Sequence, residues 1–208
     1  MTEIPKDGLF DEPEGATPLG PDEIVGLIPT YISNRNELNE AELDNITKAL
    51  NWAYLQHGPW TLDALLTDRS MRNLHTRMFG DVWSWAGSYR RRLTNPGVPP
   101  HEIPARLHDL LGDVLFQTRD LSALPWPSDE VAVRFHHRLV VVHPFPNGNG
   151  RHARLAADLL VGLLGQRAFT WGGADLGDVG SARAAYLAAL RVADATQEFG
   201  PLLAFARS

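Results

Sequence analysis

Residues 143–154 read His-Pro-Phe-Pro-Asn-Gly-Asn-Gly-Arg-His-Ala-Arg, placing a proton acceptor, two glycines and two arginines in twelve positions. Gly148 and Gly150 fall where a loop enters an apolar helix, and glycine can turn successive N–H groups toward one point. The start of that helix adds a positive dipole end and N–H donors with no intrahelical acceptor. Arg151 and Arg154, three apart in the first turn, can grip neighbouring phosphates. Asn149 offers a side-chain amide to the same place. His143, fixed by Pro144 and anchored by Phe145, has the ordinary pKa range to take a proton from an attacking hydroxyl. The chemistry implied is transfer of a phosphate-borne group to a hydroxyl. The competing reading is a helix-capping loop whose arginines face solvent.

Other motifs do not compete. The Gly-Asn-Gly-Arg run is neither a P-loop nor a dinucleotide fingerprint. A metal cluster of His136, His137, His143 and His152 is disfavoured, because adjacent His136 and His137 point to different helix faces. Nearby acids are limited to Asp129, Glu130 and Asp158, so His136, His137 and His152 are read as structural or surface residues. The chain has no cysteine, which excludes disulfides and thiolate metal sites. A formal net charge of −6 and a pI near 5.7 argue against a general nucleic-acid binder. The run Tyr89 to Leu93, with three arginines, is either a local basic patch or a solvated strand end.

The elements around the motif read as helices. The 208 residues favour one domain, or one domain with an N-terminal arm. Residues 1–38 are assigned to that arm, carrying Pro5, Pro13, Pro18, Pro21 and Pro29. Residues 38–56 read as a helix with Asn39 as N-cap, and 61–80 as a second, closed by Gly80. Asn95-Pro96-Gly97 is a strong turn signal, and 91–104 is expected to be a β-hairpin, the one strand-like part of the chain. Further helices are expected over 105–120, over 128–143 with Ser128 as N-cap, over 151–165, and over 181–194. The N-terminus lacks a secretory h-region, and no apolar run approaches the ~18 residues of a membrane span. A cytoplasmic protein is the expectation.

The motif resembles that of the Fic family of protein adenylyltransferases, H-P-F-x-[D/E]-G-N-G-R-x-x-R, with eleven of twelve positions in agreement and Asn147 the departure. The resemblance extends over roughly residues 65–206, and the chain as a whole is similar to the bacterial subgroup called mobile mystery protein B. It implies a mainly α Fic-type helical bundle, residues 39–208, with a small β-hairpin flap. The flap residues Leu93, Thr94, Asn95, Gly97 and Val98 would hold a target segment by strand pairing. His143 would be the general base, with Gly148, Asn149 and Gly150 lining an anion hole and Arg151 and Arg154 holding the outer phosphates of ATP. The family's carboxylate before the first glycine binds Mg²⁺; Asn147 offers only a neutral oxygen there, so weak or shifted metal dependence is expected. The partners implied are ATP and a target protein, with a homodimer left open and no membrane. A related phosphotransferase and a weakened nucleotide- or partner-binding fold are the alternatives. Many members carry an inhibitory helix with [S/T]-x-x-x-E-[G/N]. The nearest match is Ser33 to Glu37, followed by Leu38, with Glu40 and Glu42 beyond it, so no strict inhibitory motif is expected.

Overall fold

The computed structural model describes residues 18–173 and 179–208, and the architecture is mainly helical. Its helices are α1 (Pro21–Ile24), α2 (Arg35–Asn51), α3 (Leu62–Leu65), α4 (Asp68–Phe79), α5 (Ile103–Gln117), α6 (Ser128–Val142), α7 (Asn149–Leu163), α8 (Val179–Thr196) and α9 (Gly200–Arg207). The central pair is α6 and α7, with α5, α8 and α9 beside it and α2, α3 and α4 against its other flank. None of the described helices is long and apolar enough to cross a membrane.

Local chemistry sets the helix ends, and some differ from expectation. The early helix starts at Arg35 rather than after Asn39, because the Asn34 side chain accepts the N–H of Glu37. Glu37 reaches back to the Ser33 N–H and hydroxyl, closing a reciprocal cap. Residues 61–80 are two helices, not one. Thr67 caps the Ser70 N–H and starts α4 afresh after the chain leaves α3 at Leu66. Ser128 lies inside α6, one place after the N-cap Pro127, and its hydroxyl goes to the Leu164 carbonyl instead of capping. The β-branched end of α6 is helical, its inner positions Val140 and Val142 being buried.

The hairpin expected over 91–104 is not formed. Among the described residues the one β-bridge joins Leu27 to Trp83. The turn at 95–97 exists, closed by the Thr94 hydroxyl on the Pro96 carbonyl. The Arg90 guanidinium, however, takes the carbonyls of Arg92 and Val98, one on each arm, so the arms pair through a side chain rather than through each other. Pro99, Pro100 and Pro104 remove further backbone donors, and a short 3₁₀ turn, Pro100–Glu102, runs into α5.

Part of the N-terminal arm, residues 1–17, lies outside the described residues. From Pro18 onward the chain is bound to the body. Arg92 pairs with Glu23 at 2.6 Å and donates to the Pro18 carbonyl, while Trp85 donates to the Glu23 carbonyl. Within Tyr89 to Leu93 no strand is formed: Arg90 is a buried brace, Arg92 is exposed but ion-paired to Glu23, and Arg91 is exposed.

Candidate active site

The motif sits between the end of α6 and the start of α7. His143 terminates α6 in a left-handed conformation, φ 52°, its N–H still bonded to the Leu139 carbonyl. Pro144, which has no N–H to give, prevents the helix from continuing. The His143 side chain is buried, and Nδ1 lies 3.1 Å from the Val140 carbonyl. A carbonyl only accepts, so Nδ1 carries the proton and Nε2 carries the lone pair. Burial pulls the imidazole pKa down to about 4, with the nearby Arg90 charge acting in the same direction. The base form is the resting form at neutral pH.

Gly148 caps α7 with φ 79°. A Cβ there would meet the Phe79 ring at 2.5 Å, so only glycine fits. Gly150 is different: it is helical, and a Cβ on it would meet only the Tyr186 hydroxyl, at 3.6 Å. The first glycine shapes the loop, whereas the second leaves room above the helix start. The N–H groups of Asn149, Gly150 and Arg151 are in the first turn of α7, where no acceptor four residues back exists inside the helix.

The motif's polar side chains divide sharply. Asn149 is buried and spends both ends on Phe145, its oxygen accepting that residue's N–H at 2.9 Å and its nitrogen donating to the carbonyl at 2.7 Å. What it can give an anion is its backbone N–H. Arg151 pairs with Glu42 of α2 at 2.6 Å, and Glu42 is itself buried and accepts the Trp83 indole N–H at 2.8 Å. Arg154 makes no hydrogen bond to a described residue; its guanidinium lies over the Tyr186 ring, 5.5 Å from the centroid. Burial, its largest perturbation, lowers its pKa, and Asp158 one turn on only partly offsets this. A half-buried guanidinium without a bonded acceptor, beside open N–H donors, calls for an anion.

Asn147 does not make a metal site by itself. Its side-chain oxygen accepts the Gly148 N–H at 2.6 Å and lies 3.5 Å from the Arg151 guanidinium. No group of three or more His, Cys, Asp or Glu that could hold a metal ion occurs among the described residues. One neutral oxygen, already accepting hydrogen bonds beside a cation, does not fit a protein-held Mg²⁺.

Two residues that sequence reasoning missed hold the loop from below. Arg90 is buried and donates to the His143 carbonyl at 2.6 Å, while its own N–H bonds the Pro144 carbonyl. His75 of α4 is fully buried and bridges the loop to the turn at Gly87. Its Nε2 donates to the Asn147 carbonyl at 3.0 Å, and its Nδ1 accepts the Gly87 N–H at 3.0 Å. Its ring stacks on Phe145 at 3.8 Å, and burial keeps it neutral, with a pKa well below the ordinary value. The other histidines weighed as metal ligands contact protein groups: His152 bonds the Met71 carbonyl, His137 pairs with Asp194, and His136 meets Tyr186. Of the residues expected in the flap, Leu93 is exposed. Val98 is tied through Arg90 to the same carbonyl of His143, which brings this loop to the motif.

Residues 65–161, from the end of α3 to within the last turn of α7, match the Fic/DOC family. The chain carries a Fic/DOC family domain. Protein adenylyltransferase fic-1 of Caenorhabditis briggsae is 30% identical over 139 residues, which is 65% of this chain and 26% of that protein. Its Caenorhabditis elegans counterpart gives the same figures, so this chain spans about a quarter of the length of these relatives. Among solved structures, Fic-1 from C. elegans is similar with a TM-score of 0.61 over 88% of this chain and 50% of that one, at 24% identity. BepC from Bartonella tribocorum, with bound AMPPNP, gives a TM-score of 0.62 over 85% of this chain and 87% of that one, at 18% identity. These two likenesses establish the Fic fold. The Glu37 carboxylate in that fold is spent on Ser33, and the acid that meets a motif arginine is Glu42, on Arg151 rather than Arg154.

Proposed function

We propose that this chain is a protein adenylyltransferase, moving AMP from ATP to a Ser, Thr or Tyr hydroxyl of a target protein. The observation that carries the reading is Arg154: a half-buried cation with no hydrogen-bonded acceptor among the described residues, one turn inside a helix whose first N–H groups are open. The similarity to the two fic-1 adenylyltransferases supports it.

In this reading the α7 N-terminus and Arg154 hold the phosphates of ATP. Arg151 joins them to the extent that Glu42 gives it up. The target hydroxyl enters beside the 91–98 loop, and His143 Nε2 takes its proton as the oxygen attacks the α-phosphorus. The bond from that phosphorus to the bridging oxygen breaks, and pyrophosphate leaves with the electron pair. Developing negative charge on the leaving group falls on donors fixed in advance, which is where such sites gain most. Any Mg²⁺ would be carried by the nucleotide phosphates and water rather than by the protein. The protein acts in a reducing compartment such as the cytoplasm.

The test is transfer from α-labelled against γ-labelled ATP, using a cell lysate as the source of target. Label arriving in protein only from α-labelled ATP is the expected result. Label from γ-labelled ATP alone assigns a phosphotransferase. Nucleotide binding without either transfer assigns a binding fold.

A further inference from the structure

A buried polar pair beside the motif has no part in this mechanism. Tyr186 of α8 lies with its ring under the Arg154 guanidinium and its hydroxyl 3.1 Å from Nε2 of His136 on α6. The same hydroxyl stands over the first turn of α7, facing the space that Gly150 leaves open. His136 is completely buried, with Trp171 against it at 4.6 Å. Its Nδ1 has no hydrogen-bond partner among the described residues. Burial, then the neighbouring Arg154 charge, holds the ring neutral, with a pKa well below the ordinary value.

A neutral imidazole has one N–H and one lone pair, so the bond between the two side chains has two arrangements. If the phenol donates to Nε2, then Nδ1 carries a buried N–H with nothing to receive it. If Nε2–H donates to the phenol oxygen, Nδ1 is a bare acceptor. Orphaned buried donors are rarer in folded proteins than under-used acceptors, because a lost donor forfeits its one bond outright. The second arrangement is therefore favoured. It leaves the phenol proton over, directed away from His136, with the open space above Gly150 before it. Burial pushes the Tyr186 phenol up to about 12, so that proton is retained at neutral pH.

We propose that the Tyr186 hydroxyl is a further hydrogen-bond donor to the phosphate oxygen seated at the start of α7, and that His136 is the positioning residue that turns its proton outward. The inference rests on the phosphate reading of the site. The donors converging there are a guanidinium, backbone N–H groups and a phenol, a set with no acceptor among them, which selects a fully ionised phosphate oxygen over a protonated or amide group. Tyr186 also shapes the site through its ring, since the guanidinium it supports is the motif arginine with no ion pair among the described residues.

The variant Tyr186→Phe keeps the ring under Arg154 and removes only the hydroxyl. Titration calorimetry with ATP and with inorganic tripolyphosphate is expected to show both affinities lowered ~10-fold, the range of a hydrogen bond to a charged group. Wild-type affinity in the variant overturns this inference and leaves the phosphate reading standing. A wild-type chain that binds neither probe overturns both. Nitrogen-15 NMR of the unsubstituted protein gives a second arm that does not depend on the variant folding. His136 is expected to be protonated at Nε2 and bare at Nδ1, and the reverse tautomer would sink the proposal.

Discussion

The motif loop has two sides, and they are built in opposite ways. On the buried side Asn149 spends both ends on Phe145, His75 grips the Asn147 carbonyl, and Arg90 grips that of His143. On the open side the α7 first-turn donors and Arg154 find no hydrogen-bonded acceptor within the described fold. Satisfied polar networks rigidify, whereas unsatisfied donors store affinity for a ligand. The difference teaches that this loop is held rigid from below so that its donors can stay unpaired above. Arg151 stands between the two cases, since Glu42 already occupies it.

The two glycines break this comparison most forcefully. Gly148→Ala combines left-handed strain with a clash against Phe79, together costing about 3 kcal/mol or more. Urea unfolding should show that loss directly. Gly150→Ala, in open helical space, should hold or gain about 1 kcal/mol while weakening ATP binding. A stable Gly148→Ala protein would mean that the loop is not fixed as described.

Acid tests the buried side as a whole. His75, His136, His143 and His152 all have pKa values below the unfolded 6.5, chiefly through burial. Unfolding lets them take up protons, so the fold is undisturbed by them above pH 6.5 and is progressively destabilised as pH falls below it, for His143 and His152 down to about pH 4. His143 and His152, each at about 4, account for roughly 3 kcal/mol apiece. Asp158 works the other way, because burial raises its carboxyl to about 6, but it is one group against four. Chemical denaturation at pH 7.5, 6 and 4.5 should show a steep fall. A flat profile would mean that these rings are not sequestered.

The arginines sharpen the comparison. Arg151→Ala strands the buried Glu42 and should cost roughly 3 kcal/mol of stability. Arg154→Ala should leave stability within about 1 kcal/mol yet weaken ATP binding ~10–100-fold. Equal stability losses in both would erase the distinction between them. Glu42→Gln frees Arg151 and should tighten ATP binding.

The smallest effect belongs to Asn147. Asn147→Asp places a carboxylate near Arg151 and the phosphates, and should lower the Mg²⁺ concentration needed for half-maximal transfer about several-fold. Identical metal titrations of both forms would show that this side chain does not face the nucleotide's metal.

What could be read from the sequence was local. The motif, the glycine at its centre and most helices declare themselves within a few residues, through side-chain types and spacing. The partners of the buried side do not. Arg90 reaches His143 across 53 positions, His75 reaches Asn147 across 72, and Glu42 reaches Arg151 across 109. Nothing in the composition around Tyr89 to Leu93 distinguishes an interior arginine from a solvated one. The turn at 95–97 was legible, but the hairpin was not a safe extension of it, because Arg90 takes the carbonyls on both arms. Asn149 shows the same limit: its amide looks available in the sequence, and the fold spends it on Phe145.

The central claim is that proton transfer and phosphate binding belong to different groups of one rigid loop. It is tested most directly by measuring ATP affinity and AMP transfer side by side in wild type and His143→Ala. The account predicts a dissociation constant within about threefold of wild type, with transfer lower by ~10²–10⁴. Transfer at the wild-type rate in the variant would contradict it.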